Sequence, residues 1–383
     1  MSRKHFSWLL IVTAVVAVVV LLLPGRTGHE SGYTRTPFLP ELQTQVNDLD
    51  WLRIRGAGGA VIATLQRADD HWRVEEAHGY RADWDRLRSF LADLAQAEIA
   101  EPKTDNPAYY DRLGVEDVSA PAAGGLQIEF AEATGLPAVI VGNRAEGRGG
   151  RYARRADTAA SALLDRSLDL PTAAKDWLET AIVDIADSEV VEVDIDHADG
   201  ERVVARKIAA DDEHFELQDV PEGREIRSAW TVDSLASALS ALSLEAVAPQ
   251  DDVDWDGAVR FSLVTADGLR IGVDAVAVAP EPVADDGEEE PSEDPAAEPA
   301  EHWIRMEAGL FQTALDSAVE PPASGDAAGE AQDDSGDAVD PTERAKDINR
   351  RVSGWAYRVP KYKYDAMAKR MEDLLQTLPE DED

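Results

Sequence analysis

The sequence predicts an α+β protein, with an N-terminal transmembrane helix followed by two similar domains, each an antiparallel sheet with a helix. Three observations predict this fold class. An apolar run of 18 residues, Phe6–Leu23, carries no charge. After it, short alternating segments bounded by turn residues predict β-strands, and an amphipathic helix follows each group of strands. The order of these segments returns from Val190 onward, at a spacing of roughly 130 to 150 residues that suits a duplicated domain.

The apolar run is predicted to cross a membrane. As a helix it would span about 27 Å, close to the hydrocarbon thickness of a bilayer. It is longer than the apolar part of a signal peptide and no small-x-small cleavage pattern follows it, which favours a retained anchor over a cleaved signal. Arg3 and Lys4 precede it. Basic residues before a span favour a cytoplasmic location for that end of the chain. The sequence therefore predicts a single-pass inner-membrane protein with a cytoplasmic N-terminus and a periplasmic body.

Composition divides the chain into segments. Residues 25–47 contain Gly, Pro and Thr and little periodicity, and are predicted to form a stalk. The predicted segments are the anchor 1–24, the stalk 25–47, a first α+β repeat domain 48–186, a second α+β repeat domain 187–319 with an acidic disordered insertion 280–301, an acidic disordered linker 320–341, and a basic aromatic segment with a C-terminal amphipathic helix, 342–383.

The first repeat begins with three predicted antiparallel strands. They are Trp51–Arg55, Ala60–Arg67 and a short strand from Trp72. Trp84, Leu87, Phe90, Leu91 and Leu94 then form one stripe of a predicted amphipathic helix over 84–97. Three further strands and a Pro-capped helix are predicted at Leu126–Phe130, Pro137–Gly142, Arg151–Arg155 and Pro171–Val183.

The second repeat shows the same order. Val190–Asp196 and Arg202–Ile208 flank Asp199-Gly200, which is a hairpin signal. Val232, Leu235, Ala236, Leu239 and Leu242 predict its helix, and Val259–Thr265, Leu269–Val273 and His302–Arg305 predict its later strands. Chance similarity of order is the alternative to duplication.

The net charge of −39 comes from 76 acidic and 37 basic side chains. The segment from Glu281 to Asp340 contains 19 acidic residues and one arginine. The remaining excess of negative charge is spread over the other segments of the chain. Diffuse charge favours adaptation to a saline medium over calcium binding. The body lacks the basic face that phosphate binding requires, so nucleic acid is not an expected partner. The chain has no cysteine, which excludes disulfides and thiolate chemistry.

We find no catalytic or metal-binding motif. The segment Asp194–Gly200 begins like an EF-hand loop, but Ala198 and Ala205 stand where ligands are needed. His71 and His78 have no carboxylate or histidine at metal-ligand spacing. No serine lies in an elbow motif and no glycine cluster forms a phosphate loop. The sequence therefore predicts no cofactor, no metal and no enzyme.

The best candidate for a contact surface lies in the basic C-terminal segment, because aromatic residues and arginine are enriched in binding cores. The candidate partner-facing residues are Trp355, Tyr357, Arg358, Lys361, Tyr362 and Lys363. The alternative is that Trp355 and Tyr357 fill the core of the second domain while the cations neutralise neighbouring carboxylates.

Four phrases resemble a widespread bacterial family of unknown function. They are WDRLRSFLADLAQAE (84–98), YDRLGVED (110–117), LDLPTAAKDWLETAIVDI (168–185) and SGWAYRVPKYKYDAMAKRMEDLL (353–375). The resemblance implies one N-terminal span, an envelope-side body with repeats, and genes beside those of gliding-motility-type ABC transporters. It implies no reaction and supplies no active-site residues.

The sequence and the resemblance together predict a non-enzymatic, membrane-anchored periplasmic auxiliary of an ABC-type transport or envelope system, acting by protein–protein interaction. The expected partners are the membrane, through Phe6–Leu23, and an ABC-type permease or related membrane complex. The alternative is a ligand- or polymer-binding envelope module, for example for peptidoglycan, that is independent of a transporter. A hydrolase whose site the sequence hides is the third hypothesis.

Overall fold

The computed structural model describes residues 34–69, 71–147, 149–279, 300–311 and 340–377. The predicted anchor Phe6–Leu23 and most of the two acidic tracts, 280–299 and 320–339, lie outside the described residues. The described chain divides into two compact units. One comprises the residues up to Arg73 and Trp84–Asp176, and the other comprises Val74–Asp83 and the residues from Trp177 onward.

The first ten strands and two helices precede residue 170. In chain order they are β1 (Thr36–Pro37), α1 (Pro40–Gln45), β2 (Trp51–Arg55), β3 (Val61–Arg67), β4 (Trp72–Val74), β5 (Tyr80–Arg81), α2 (Trp84–Gln96), β6 (Glu98–Pro102), β7 (Leu126–Phe130), β8 (Val139–Arg144), β9 (Arg151–Arg155) and β10 (Ser161–Leu164). The strands of the first unit lie in the order β1-β6-β10-β9-β8-β7-β2-β3-β4. Their described pairings are antiparallel.

Alternation along β2 sets one face of this sheet. Leu52 and Ile54 are buried and alternate with half-buried arginines, and Leu52 lies opposite Leu65 of β3. Helix α2 buries Leu87, Phe90, Leu91 and Leu94, the spacing of one helical stripe. The period-2 and period-3.6 patterns therefore correspond to the buried faces of their elements.

A buried arginine fixes the loop that carries the phrase YDRLGVED. Tyr110, Val115 and Ile140 form a buried cluster in this loop and β8. Arg154 of β9 lies under the loop, where its Nε donates to the Val115 carbonyl at 2.9 Å and its Nη1 to the Thr158 carbonyl at 3.0 Å. Its guanidinium carbon lies 4.8 Å from the centre of the Tyr110 ring. The phrase is therefore explained by packing.

The second unit contains the remaining strands and helices. In chain order they are β11 (Ala181–Val183), β12 (Val190–Asp196), β13 (Arg202–Arg206), β14 (Glu216–Leu217), α3 (Ala229–Asp233), β15 (Leu242–Ser243), β16 (Ala246–Pro249), β17 (Val259–Thr265), β18 (Leu269–Val278), β19 (Glu301–Leu310), α4 (Pro341–Val352), β20 (Trp355–Arg358), α5 (Lys361–Met367) and α6 (Met371–Leu374). The main sheet lies in the order β16-β20-β19-β18-β17-β12-β13-β14. This is the order β6-β10-β9-β8-β7-β2-β3-β4 of the first sheet, with ten added to every label.

The shared order shows where the acidic tracts fall in the sequence of strands. Residues 280–299 connect β18 to β19, and the corresponding connection in the first unit, between β8 and β9, is the short segment 145–150. Residues 312–339 lie between β19 and α4. The two tracts therefore lengthen connections of the second unit and interrupt none of its strands.

Strand β20 pairs with Trp303 and Ile304 of β19, and helix α4 packs against the later part of β19. The helix buries Ala345, Ile348 and Val352. The side-chain amide of Asn349 accepts a hydrogen bond from the Ala308 backbone nitrogen at 2.8 Å and donates to the Ala308 carbonyl at 2.7 Å. One side chain thus replaces the two backbone bonds that a neighbouring strand would make.

The predicted fold class requires correction. The described chain is mostly antiparallel sheet, and within the described ranges no helix has both the length and the apolar character needed to cross a membrane. The N-terminal transmembrane helix that formed part of the predicted fold class is therefore not supported. Its residues, Phe6–Leu23, lie outside the described part of the chain. The same finding corrects the predicted location as a single-pass inner-membrane protein with a periplasmic body.

The helix predicted over Val232–Leu242 is shorter than expected. Helix α3 ends at Asp233 and continues as a 3-10 helix, Ser234–Leu239. The hydroxyl of Ser234 donates to the Thr231 carbonyl at 2.7 Å, and Ser237 donates to the Ser234 carbonyl at the same distance. Serine hydroxyls that bond the preceding turn compete with helical hydrogen bonding, which accounts for the tighter turn.

Two other predicted segments differ from the structure. Pro171–Val183 contains a 3-10 helix, Ala174–Trp177, and strand β11, which pairs with β15, so strand pairing overrides the helical pattern. Part of the predicted stalk is structured, since β1 and α1 lie within it and Phe38, Leu39 and Leu42 are buried. The segment contains Gly, Pro and Thr and little periodicity, so these three apolar residues did not indicate a helix or a strand.

Candidate functional site

The six predicted partner-facing residues do not form one surface. Tyr357 is fully buried and Trp355 is half-buried. Both rings pack edge-on against Tyr80, with ring centres 6.0 Å and 5.1 Å away. Strand β20 lies between β19 and β16, so it is an interior strand of the second sheet. These two aromatic residues therefore belong to the packing of the second unit.

All three predicted cations have acceptors in the same unit. Arg358 forms ion pairs with Glu301 and Glu245, at 2.5 and 3.8 Å, and Lys361 pairs with Asp365 at 2.7 Å. The ammonium group of Lys363 donates to the carbonyls at the end of the 3-10 helix that follows α3, those of Ser237 and Ser240. Burial lowers the pKa of Lys363 from its ordinary value, and Asp184 opposes that shift. These cations stabilise local structure.

Tyr362 is the exception among the six. Its side chain is 66% exposed on helix α5, beside the exposed Lys361. The two residues are solvent-facing, but they provide no cavity and no cluster of polar groups.

A polar depression lies on the face of the second sheet that carries Arg260, Arg270 and Asp274. We call it the polar groove; it encloses about 810 Å³. Its polar residues on the sheet are Arg260 and Ser262 of β17, Arg270 and Asp274 of β18, and Arg305 and Glu307 of β19. The apolar Val273, Met306 and Ala308 also line it, and its rim includes Gln250, Ser353 and Gly354.

Strand alternation explains why these residues share a face. In β18 the buried Leu269, Ile271 and Val273 alternate with Arg270, Gly272 and Asp274. The register places Arg260, Asp274 and Arg305 side by side across three strands, and places Ser262, Gly272 and Glu307 in the next row. Gly272 and Gly309 carry no side chain; the side chain of Glu307 lies over Gly272, and the space above Gly309 is open.

One end of the polar groove is a closed charge network. Asp274 accepts from Arg305 at 2.9 and 3.0 Å and from Arg260 at 3.4 Å. The guanidinium carbon of Arg305 lies 4.7 Å from the centre of the Trp255 ring, and Trp255 donates from its indole nitrogen to the Gln250 carbonyl at 2.8 Å. Opposite charges on neighbouring strands stabilise this end of the sheet.

The other end carries charges without partners. Arg270 and Glu307 are both exposed, and neither forms an ion pair with a residue of the described chain. They differ in sign and lie on adjacent strands next to Gly272 and Gly309. This end can therefore offer five N–H donors and a carboxylate to a ligand at the same time.

The chemistry available in the polar groove is that of binding. Its lining residues include no histidine, cysteine or lysine, and Ser262 has no neighbouring base among them. Across the described ranges of the chain, no group of three or more His, Asp or Glu side chains is arranged to hold a metal ion. The groove was not predicted from the sequence, although the period-2 placement of Arg270, Gly272 and Asp274 within an apolar strand is a signal that could have indicated it.

Comparison with known proteins gives one similarity. No curated protein and no solved structure matches the chain. Residues 72–257 match a family described as Domain of unknown function (DUF4340). That range contains three of the four phrases on which the resemblance was based, those at 84–98, 110–117 and 168–185. To this extent the resemblance to a family of unknown function is confirmed: a DUF4340 domain, a little less than half of the chain, spans residues 72–257.

Proposed function

We propose that the protein is a non-enzymatic auxiliary of an ABC-type transport or envelope system, and that the polar groove of its second unit binds an extended, charged segment of a partner protein. The observation that carries this proposal is the unpaired end of the groove, where Arg270 and Glu307 face solvent beside Gly272 and Gly309. The transporter assignment draws its support from the resemblance of the four phrases.

A peptide segment suits the groove better than a compact small molecule. Small-molecule sites are mostly apolar with few polar groups, whereas three arginines and two carboxylates line this groove beside the apolar Val273, Met306 and Ala308. Charges of both signs on adjacent strands, as in Arg270 and Glu307, select a partner of complementary pattern and reject a uniformly acidic one. Such charges contribute more to specificity and association rate than to affinity.

The alternative, a polymer-binding envelope module, has less support. Sugar rings of a glycan polymer commonly stack on exposed aromatic side chains, and the residues that line the groove include no aromatic ring. Trp255 lies beside the charge network, but the guanidinium group of Arg305 already stacks on its ring.

A cross-linking experiment tests the proposal. A photo-reactive amino acid replaces Ser353, an exposed rim residue, in the tagged full-length chain, which is purified after detergent extraction of the producing cells. We expect a cross-link to a multi-span permease of an ABC-type system. Arg270→Glu should lower the yield several-fold, because it reverses the charge offered to the partner. Arg350→Glu is the matched control and should leave the yield unchanged, because the Arg350 side chain is exposed on helix α4 and pairs locally with Asp347.

The results that contradict the proposal are specific. A permease recovered equally well with Arg270→Glu would show that the polar groove is not the contact. Retention of the chain on purified cell-wall material, with no permease cross-linked, would favour the polymer-binding alternative.

A further inference from the structure

The first unit holds a separate cluster of three arginines around one carboxylate. Asp169 accepts from Arg86 of helix α2 at 3.3 Å and from Arg144 of β8 at 3.5 Å. Arg151 of β9 donates from its Nη1 to the carbonyl of the preceding residue, Leu168, at 2.9 Å. Asp169 is 73% exposed and Arg144 is 62% exposed, so the cluster opens to solvent. We call these four charged residues the arginine cluster.

Two features of the arginine cluster oppose the stability of the elements that carry it. Arg144 and Arg151 are directly opposite each other in the β8–β9 pairing, and like charges in that position are destabilising. Arg86 is the third residue of helix α2, and a cation in the first turn opposes the helix dipole. The β8–β9 pairing and the helix dipole therefore both disfavour cations at these three positions.

The backbone beside Asp169 is also strained. Leu168 is buried and has φ of +33°, a left-handed conformation that a non-glycine residue adopts at a cost. This conformation holds the Leu168 carbonyl at Arg151 and the Asp169 carboxylate between the other two guanidinium groups. Strain of this kind is often found at binding sites.

The cluster has more hydrogen-bond donors than its own acceptors use. Arg144 and Arg151 lie directly opposite each other and have the carboxylate of Asp169 beside them, while Arg151 bonds the Leu168 carbonyl, so their guanidinium groups offer more N–H donors than these two acceptors use. The bonds to Asp169 exceed 3.2 Å and are longer than a close arginine–carboxylate contact. The Nε of Arg151 has no hydrogen-bond partner within the described residues. Burial, and then the nearby Arg144, lower the pKa of the Arg151 guanidinium, although Asp169 opposes this.

We propose that the arginine cluster is an oxyanion-binding site that takes the carboxylate or phosphate group of a ligand, with Asp169 as the internal group that the ligand displaces. Arg86 and Arg144 bind the incoming oxygens, and Arg151, fixed by the Leu168 carbonyl, supplies the positive field behind them. The exposed Asp169 side chain is free to turn toward solvent because its contacts are with these arginines. The site lies within the first unit and does not depend on the polar groove.

Isothermal titration calorimetry of the full-length chain with inorganic phosphate and, separately, with acetate tests this site. Ionic strength is held constant with sodium chloride, because exposed charges are screened by salt. We expect saturable binding of at least one anion, and the tighter of the two identifies whether the natural ligand carries phosphate or carboxylate. Chloride injections of equal ionic strength give the background, and heats no larger than that background for both anions overturn the proposal.

Three variants separate this site from nonspecific attraction. Asp169→Asn removes the internal competitor and should tighten binding by about two- to fivefold, the equivalent of one exposed ion pair. Arg144→Gln removes a charged donor and should weaken binding about tenfold. Arg88→Gln, on the same helix and paired with Asp85, is the matched control and should bind as the wild type does.

The sign of the Asp169→Asn effect is the decisive result. A purely structural ion cluster would lose stability with this variant and gain no affinity, so unchanged or weaker binding overturns the proposal. Circular dichroism and the unfolding midpoint establish that each variant is folded. If Arg144→Gln does not fold, Arg86→Gln takes its place with the same expected loss.

Discussion

The most exacting prediction concerns Arg154, because its environment allows a magnitude to be worked out. The side chain is 7% exposed, and replacing it with Met keeps a similar apolar volume while removing every donor. The change leaves the carbonyls of Val115 and Thr158 without their charged partner, and bonds to charged groups contribute about 1.5–3 kcal/mol each. The contact with Tyr110 adds about 0.5–1 kcal/mol. Because such terms are not additive, we expect Arg154→Met to lower the free energy of unfolding by about 2–4 kcal/mol.

Urea denaturation of the full-length chain and amide hydrogen exchange provide the assay. Val115 and Leu113 donate their amides to the Tyr110 carbonyl, so protection of these amides should fall more than that of the strands. Arg155→Met is the matched control, since the neighbouring side chain alternates to the other face and pairs with the exposed carboxylates of Asp157 and Glu41 at 3.3 and 3.7 Å. Its cost should stay below about 1 kcal/mol. An Arg154→Met loss no larger than that of the control would refute the packing role assigned to this arginine.

Two further predictions concern stability. Burial, reinforced by Tyr80, raises the pKa of Tyr357 above its ordinary value, so its contribution to stability is fully present below pH of about 10 and is lost as the pH rises above that value, where the unfolded chain ionises first. Denaturation between pH 8 and 11 should therefore show a shallower alkaline loss for Tyr357→Phe than for the wild type, and equal slopes would contradict this. In the β8–β9 turn, a Cβ at Gly150 would lie 2.0 Å from the Leu164 carbonyl oxygen, whereas one at Gly149 meets nothing within 4 Å. Both glycines have positive φ, so Gly149→Ala should cost about 1–2 kcal/mol and Gly150→Ala at least about 1–3 kcal/mol more, measured by thermal unfolding; similar costs would show that the turn relaxes.

Local patterns predicted many single elements. Leu126–Phe130 and Val190–Asp196 are strands with the predicted bounds, and the helix expected from Trp84 ends one residue before the predicted limit. These elements are specified by period and by neighbouring turn residues, which are properties of the sequence within a few residues. The failures occur where pairing with distant residues decides the conformation, as for Ala181–Val183, which pairs with Leu242–Ser243.

The predicted contact residues show a different limit. Aromatic residues next to cations are typical of a binding surface and equally of an interior strand whose ends are neutralised. Tyr357 is buried because β20 has neighbours on both sides. The arginine cluster could not be predicted, because Arg86, Arg144 and Asp169 are far apart in the sequence and meet only after folding.

By itself, the sequence determined the bounds of the strongly periodic strands and of helix α2, because hydrophobic alternation and helical stripes are local properties that each segment keeps wherever it packs. Only the tertiary structure decided the order of the strands, the burial of Tyr357, and the convergence of charges in the polar groove and the arginine cluster. The physical reason is that a side chain's exposure and partners depend on residues that approach from distant parts of the chain, and those contacts form only when the sheets are assembled.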